Sequence, residues 1–110
     1  MLKRNIWQGL EPAPTERLLV NEDEAITTAV GYVSVLPGEY TSRGFHEDEE
    51  EVYVILKGEA TLVLGEETDT VKAGDTVYVP PKTLHQRHCT SHIPLEYLYF
   101  ANWPESLRNK

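Results

Sequence analysis

Cysteine is almost absent from this chain of 110 residues, since Cys89 is the only one. One cysteine excludes a disulfide within the chain, and it excludes a zinc site built from four cysteines of one chain. A soluble protein of a reducing cytoplasm is the default expectation.

Basic residues are also scarce, because 10 Lys and Arg stand against 18 Asp and Glu, a net charge of −8. Such a chain lacks the positive surface that attracts nucleic acid or anionic lipid. No stretch approaches the roughly 20 apolar residues of a membrane span. The first residues contain no apolar run, so we expect no secretory signal. The composition therefore argues against nucleic acid and a membrane as partners.

Short β-branched and aromatic segments, separated by turn residues, make up most of the chain. Turn signals about every 8–12 residues are typical of an all-β sandwich or barrel, between which the pattern does not choose. We expect one domain over 1–110, with an amino-terminal arm at 1–20, a barrel at 26–101 and a carboxy-terminal turn at 102–110. The predicted strands cover residues 26–36, 51–57, 60–64, 68–72, 76–79, 84–90 and 95–101.

Strand alternation sorts the residues that carry chemistry. Side chains two apart share a face, so Glu51 and Tyr53 point one way on their strand, and His85, Arg87 and Cys89 share a face of another. Two imidazoles and a carboxylate suit a divalent first-row metal ion and leave positions for substrate or water. Histidines with a purely structural role are the alternative from the residues alone.

The spacing of these residues resembles the two motifs of the cupin superfamily. In the first motif Gly38 is followed by five residues, then Gly44-Phe45-His46, four residues, Glu51, six residues and Gly58. In the second motif Gly74 is followed by five residues, then Pro80-Pro81-Lys82, two residues, His85, three residues and Cys89. The resemblance implies a small single-domain cupin, an all-β double-stranded β-helix with jelly-roll-like topology.

The resemblance also implies a metal site, with His46, Glu51 and His85 as ligands to a divalent ion of manganese, iron, nickel, zinc or copper. Gly44 stands where the family has the first histidine, Lys82 replaces a glycine, and Cys89 replaces an asparagine. A fourth ligand from Cys89 or Tyr40 is one expectation. The alternative is that Gly44 marks a lost site.

Two further residues are candidate catalytic groups. Arg87 shares the face of His85, and a buried guanidinium needs an anionic partner. That partner is either a substrate carboxylate or phosphate, or an internal carboxylate such as Glu39 or Glu96. Tyr53 shares the face of Glu51, and either its hydroxyl or that of Tyr40 is placed to donate a proton.

We expect a metal-dependent enzyme acting on a small polar or anionic metabolite, of isomerase, lyase or dioxygenase type. The alternatives are a ligand-binding or sensor cupin without turnover, and a structural protein. The resemblance further implies a homodimer. Of the remaining residues, we expect the tract 47–50 to form a solvated loop, His88 and His92 to face solvent, and the core or barrel lining to include Tyr53, Tyr78, Tyr97, Tyr99 and Phe100.

Overall fold

The computed structural model describes residues 1–8 and 16–103, and nearly all of its regular structure is β-strand. A single 3-10 turn at Glu22–Glu24 follows the first strand. The eight strands are β1 (Glu16–Val20), β2 (Thr28–Val35), β3 (Glu50–Lys57), β4 (Glu59–Leu64), β5 (Glu67–Lys72), β6 (Thr76–Val79), β7 (His85–Cys89) and β8 (Leu95–Asn102).

The strands form two antiparallel sheets that enclose the larger of two clusters of buried apolar residues. The larger sheet has the order β1-β2-β8-β3-β6, and the smaller has the order β5-β4-β7. Isolated bridges from Tyr40 to His88 and from Gly44 to His85 add the chain before β3 to the edge of β7. This is the all-β double-stranded β-helix that the sequence predicts.

The core follows from the alternation of side chains along each strand. In β3 the residues Glu51, Tyr53 and Ile55 are buried, while their neighbours are partly exposed. Leu95 and Tyr97 of β8 pack against the same cluster from the next strand. Each buried apolar side chain of this cluster contributes roughly 1.5–3 kcal/mol of hydrophobic stabilisation.

The turn between β3 and β4 requires glycine. Gly58 has a φ of +82°, and a Cβ there would lie 2.6 Å from the Pro94 carbonyl oxygen. A left-handed backbone and this close approach both exclude a side chain. The last glycine of the first motif therefore forms the bend at which the chain passes from the larger sheet to the smaller one.

Several strand-level expectations need correction. Glu16–Val20, assigned to an amino-terminal arm, instead form β1 and pair with β2. Tyr78 and Phe100 are not part of the core but lie exposed, because they share strand faces with outward residues. The predicted carboxy-terminal turn lies outside the described residues apart from Asn102 and Trp103.

Within residues 1–8 and 16–103, no helix is long and apolar enough to cross a membrane.

Candidate metal centre

The structure brings His46, Glu51 and His85 together at one end of the space between the sheets. His46 lies in the loop before β3, Glu51 near the start of β3, and His85 at the start of β7. One ligand atom from each lies within 4.8 Å of the other two. Glu51 Oε1 is 3.5 Å from His46 Nε2 and 3.6 Å from His85 Nε2.

Two of these ligand atoms are buried and without a hydrogen bond. Glu51 is 7% exposed and His85 is 4% exposed, whereas the His46 side chain is 44% exposed. Among all the residues that the structure describes, the buried side-chain polar atoms without a hydrogen-bond partner are Glu51 Oε1, His85 Nε2 and Arg87 Nε. Buried polar atoms are nearly always paired, so an orphaned oxygen facing an orphaned ring nitrogen fits a cation between them.

The electrostatics of the cluster agree with that interpretation. Burial raises the pKa of Glu51 and the nearby Glu49 carboxyl adds to the rise, while His46 and Arg87 act against it. Burial, Arg87 and then His46 lower the pKa of His85 to about 4. His85 is therefore neutral near pH 7, the state in which an imidazole nitrogen binds a metal ion. A divalent cation would relieve the cost of burying the Glu51 carboxylate.

Gly44 is an integral part of this site. Its backbone pairs with that of His85 through two hydrogen bonds of 2.9 and 3.0 Å. A Cβ built on Gly44 would lie 2.4 Å from His85 Cε1 and 3.0 Å from His85 Nε2. The His85 ring thus occupies the space that any side chain at position 44 would need.

Neither residue considered as a fourth ligand lies at the site. Cys89 is buried at the far end of β7, where its Sγ contacts Ser91 and the Ile93 carbonyl oxygen. Tyr40 is 63% exposed and stacks on His88 with ring centroids 3.9 Å apart, on the opposite face of β7 from His85. Within the described residues, the group that is able to hold a metal ion has three members.

Arg87 and Tyr53 line the same cavity but form a contact that the sequence does not predict. Arg87 Nη1 donates to Tyr53 Oη at 2.5 Å and lies 3.0 Å from His85 Nδ1. Tyr53 Oη is itself 3.3 Å from His85 Nδ1. Across the described parts of the chain, no carboxylate lies within ion-pair distance of Arg87. The expected internal pair with Glu39 or Glu96 is therefore wrong.

The cavity beside the cluster has a volume of about 440 Å³. Glu49, expected in a solvated loop, is half-buried in its wall, with Oε1 3.3 Å from His46 Nε2. Glu16 of β1 also lines the cavity and accepts a hydrogen bond of 2.9 Å from Tyr99.

The other two histidines lie apart from the cavity, with His92 exposed and His88 half-buried under Tyr40.

Comparison with known proteins gives the family. A family model of the cupin domain matches residues 31–100, which include both motifs. The chain belongs to the cupin family. The cupin is 34% identical over 106 residues to the uncharacterized protein MJ1618 of Methanocaldococcus jannaschii, covering 96% of this chain and 72% of that protein.

Two other relatives bear on the fold and on the extent of the match. The mannose-1-phosphate guanylyltransferase RfbM of Salmonella typhimurium is 29% identical over 66 residues, which are 60% of this cupin but 14% of the transferase. The crystal structure of a predicted oxalate decarboxylase from Thermotoga maritima superposes with a TM-score of 0.74 at 23% identity, covering 80% of this chain and 78% of that one. These likenesses agree with the double-stranded β-helix.

Proposed function

We propose that this cupin is a metal-dependent enzyme that acts on a small polar or anionic metabolite. His46, Glu51 and His85 are the metal ligands, and the divalent ion is manganese, iron, nickel, zinc or copper. The observation that carries the proposal is the pair of orphaned, buried atoms 3.6 Å apart, Glu51 Oε1 and His85 Nε2. A cation bound between these two atoms would satisfy both of them.

When bound, a divalent ion supplies Lewis-acid polarisation of a substrate oxygen or lowers the pKa of a bound water molecule. Three protein ligands leave coordination positions for that purpose. The chemistry belongs to isomerase, lyase or dioxygenase classes.

Arg87 and Tyr53 are the candidate catalytic residues. The Arg87 guanidinium has no carboxylate partner within the described residues, so it is able to hold an anionic group of the substrate in bidentate fashion. Burial raises the pKa of Tyr53, which keeps its hydroxyl protonated near pH 7. Tyr53 therefore acts as a proton donor or hydrogen-bond donor rather than as a base.

A non-catalytic ligand-binding or sensor cupin is the second candidate. The observation that favours it is Gly44 at the position of the first motif histidine, which leaves three ligands with the His46 side chain 44% exposed. A sensor would bind metal and ligand without turnover.

The experiment is elemental analysis of protein purified without added metal, followed by turnover assays on a panel of small carboxylic and hydroxy acids. We expect about one equivalent of a divalent transition metal per chain, and its loss in His85→Ala, with His92→Ala as the matched control on an exposed histidine. Turnover that disappears with the metal supports the enzyme, while bound metal without turnover supports the sensor. Turnover that survives in His85→Ala without metal contradicts the proposal.

We also propose a homodimer and a cytoplasmic location. An apolar row crosses the outer face of the larger sheet, where strand register aligns Val20, Val30, Phe100, Val52 and Tyr78. An exposed apolar surface of this kind favours association with a second copy. Light scattering should give the mass of a dimer for the wild type and of a monomer for Phe100→Glu, and a monomeric wild type contradicts the proposal.

A further inference from the structure

The contact between Arg87 and His85 conflicts with metal binding by His85. Arg87 Nη1 lies 3.0 Å from His85 Nδ1, and an arginine nitrogen only donates hydrogen bonds. His85 Nδ1 must therefore be the acceptor. A ring that accepts a hydrogen bond at Nδ1 carries its one proton on Nε2, the atom that faces Glu51 at 3.6 Å.

A metal ion on His85 Nε2 requires that nitrogen to be without a proton. The ring proton of a neutral imidazole is then on Nδ1, where it would meet the N–H of Arg87 at 3.0 Å. Two donors cannot share that contact. Tyr53 Oη, 3.3 Å from Nδ1, is able to accept a hydrogen bond from Nδ1–H and so to replace Arg87 as the partner of this atom.

The surroundings of Arg87 offer open space on two sides. Its side chain borders the 440 Å³ cavity beside the ligands and also a second cavity of about 300 Å³. Its Nε is buried without a hydrogen-bond partner, and within the described residues no carboxylate fixes its charge. The centres of the Tyr53 and Tyr97 rings lie 5.1 and 5.4 Å from its Cζ, within the range of a cation–π attraction.

We propose that Arg87 is a metal-responsive anion-binding residue, which donates to His85 Nδ1 in the metal-free protein and turns to a substrate carboxylate when His85 binds metal. This inference rests on the proposed function, because it takes His85 Nε2 as a metal ligand. The ring changes tautomer without changing charge, and Tyr53 replaces Arg87 as its partner. Metal and carboxylate then bind cooperatively, and each tightens the binding of the other by the same factor.

The first test is nitrogen NMR of the full chain with labelled histidines. In the metal-free protein we expect His85 in the tautomer with the proton on Nε2, and after saturation with Zn²⁺ in the tautomer with the proton on Nδ1. A metal-free His85 that already has its proton on Nδ1 overturns the inference but leaves the metal site intact. Failure of His85 to bind Zn²⁺ overturns the proposed function together with the inference.

The second test measures the affinity for formate, a small carboxylate, with and without Zn²⁺. In the wild type we expect Zn²⁺ to tighten formate binding by about tenfold or more, as a charge-assisted hydrogen bond implies. In Arg87→Met that gain should fall by about tenfold, the share of one charge-assisted hydrogen bond, and leave only what direct contact with zinc provides. Arg43→Met removes the same charge at an exposed position and should keep the full gain. An equal gain in wild type and Arg87→Met overturns the inference.

Discussion

Gly44 offers the sharpest test of how the site is built, because family pattern and local geometry predict opposite results there. An ordinary Cβ contact begins at 3.4 Å, whereas a Cβ on Gly44 would lie 2.4 Å from His85 Cε1. The imidazole must therefore move by about 1 Å, away from the position that faces Glu51. The backbone of Gly44 is not in the left-handed region, so strain in the main chain does not enter.

We expect Gly44→Ala to weaken metal binding about 10- to 100-fold, the range seen when groups that orient a ligand are changed. Overpacking of this kind also costs about 1–3 kcal/mol in the free energy of unfolding of the metal-free protein. Calorimetric titration with Zn²⁺ and Mn²⁺ measures the first quantity, and urea unfolding measures the second.

Gly44→His restores the histidine of the family pattern, and we expect it to weaken metal binding as Gly44→Ala does, because its Cβ meets the same ring. Ser42→Ala, in the same segment but exposed, should leave affinity unchanged. If Gly44 simply marks a lost ligand, Gly44→His should bind metal at least tenfold more tightly than the wild type. That result, or an Ala variant equal to wild type, would refute the reasoning.

Three further predictions concern stability. Glu51→Gln should raise the free energy of unfolding of the metal-free protein by about 1 kcal/mol in urea titrations, because it removes a buried charge; a destabilised variant would argue against an unpaired carboxylate. The same variant should lose stability as the pH falls from about 6.5 to about 4, because His85 takes up a proton in the unfolded chain but not in the folded one, where its pKa is lowered to about 4. The variant is chosen because the raised pKa of Glu51 has the opposite effect on stability in the wild type. A stability that does not change over this pH range would contradict the lowered pKa of His85. Metal at about 100 times its dissociation constant should add about 2.7 kcal/mol to the free energy of unfolding of the wild type, measured by thermal unfolding, and nothing to that of Glu51→Gln. An equal gain in both proteins would place the ion elsewhere.

The inward faces of the long strands were predictable from the sequence because the pleat fixes a period of two. That period correctly placed Glu51 with Tyr53, and His85 with Arg87, inside the fold. Where the chain makes only isolated bridges, the period fails. Tyr40 and Gly44 have the same parity, yet Tyr40 packs on the outer side of β7 while Gly44 faces the His85 ring.

Features set by three-dimensional contacts were not predictable. Glu49 precedes β3 in a loop without periodicity, so its contact with His46 depends on how that loop turns. Arg87 contacts Tyr53 of β3, in the other sheet, rather than a carboxylate, and strand alternation does not tell which side chain lies opposite in the other sheet. The strand β1 is short and lies at a sheet edge, where pairing with β2 rather than its own pattern defines it.

The metal site itself is tested most directly by anomalous scattering from crystals of the protein as purified, with data collected on both sides of the absorption edge of the metal found by elemental analysis. The account predicts one strong peak per chain, about 2.0–2.3 Å from nitrogens of His46 and His85 and an oxygen of Glu51. Strong anomalous peaks only elsewhere, or none at all with the three side chains in place, would contradict it.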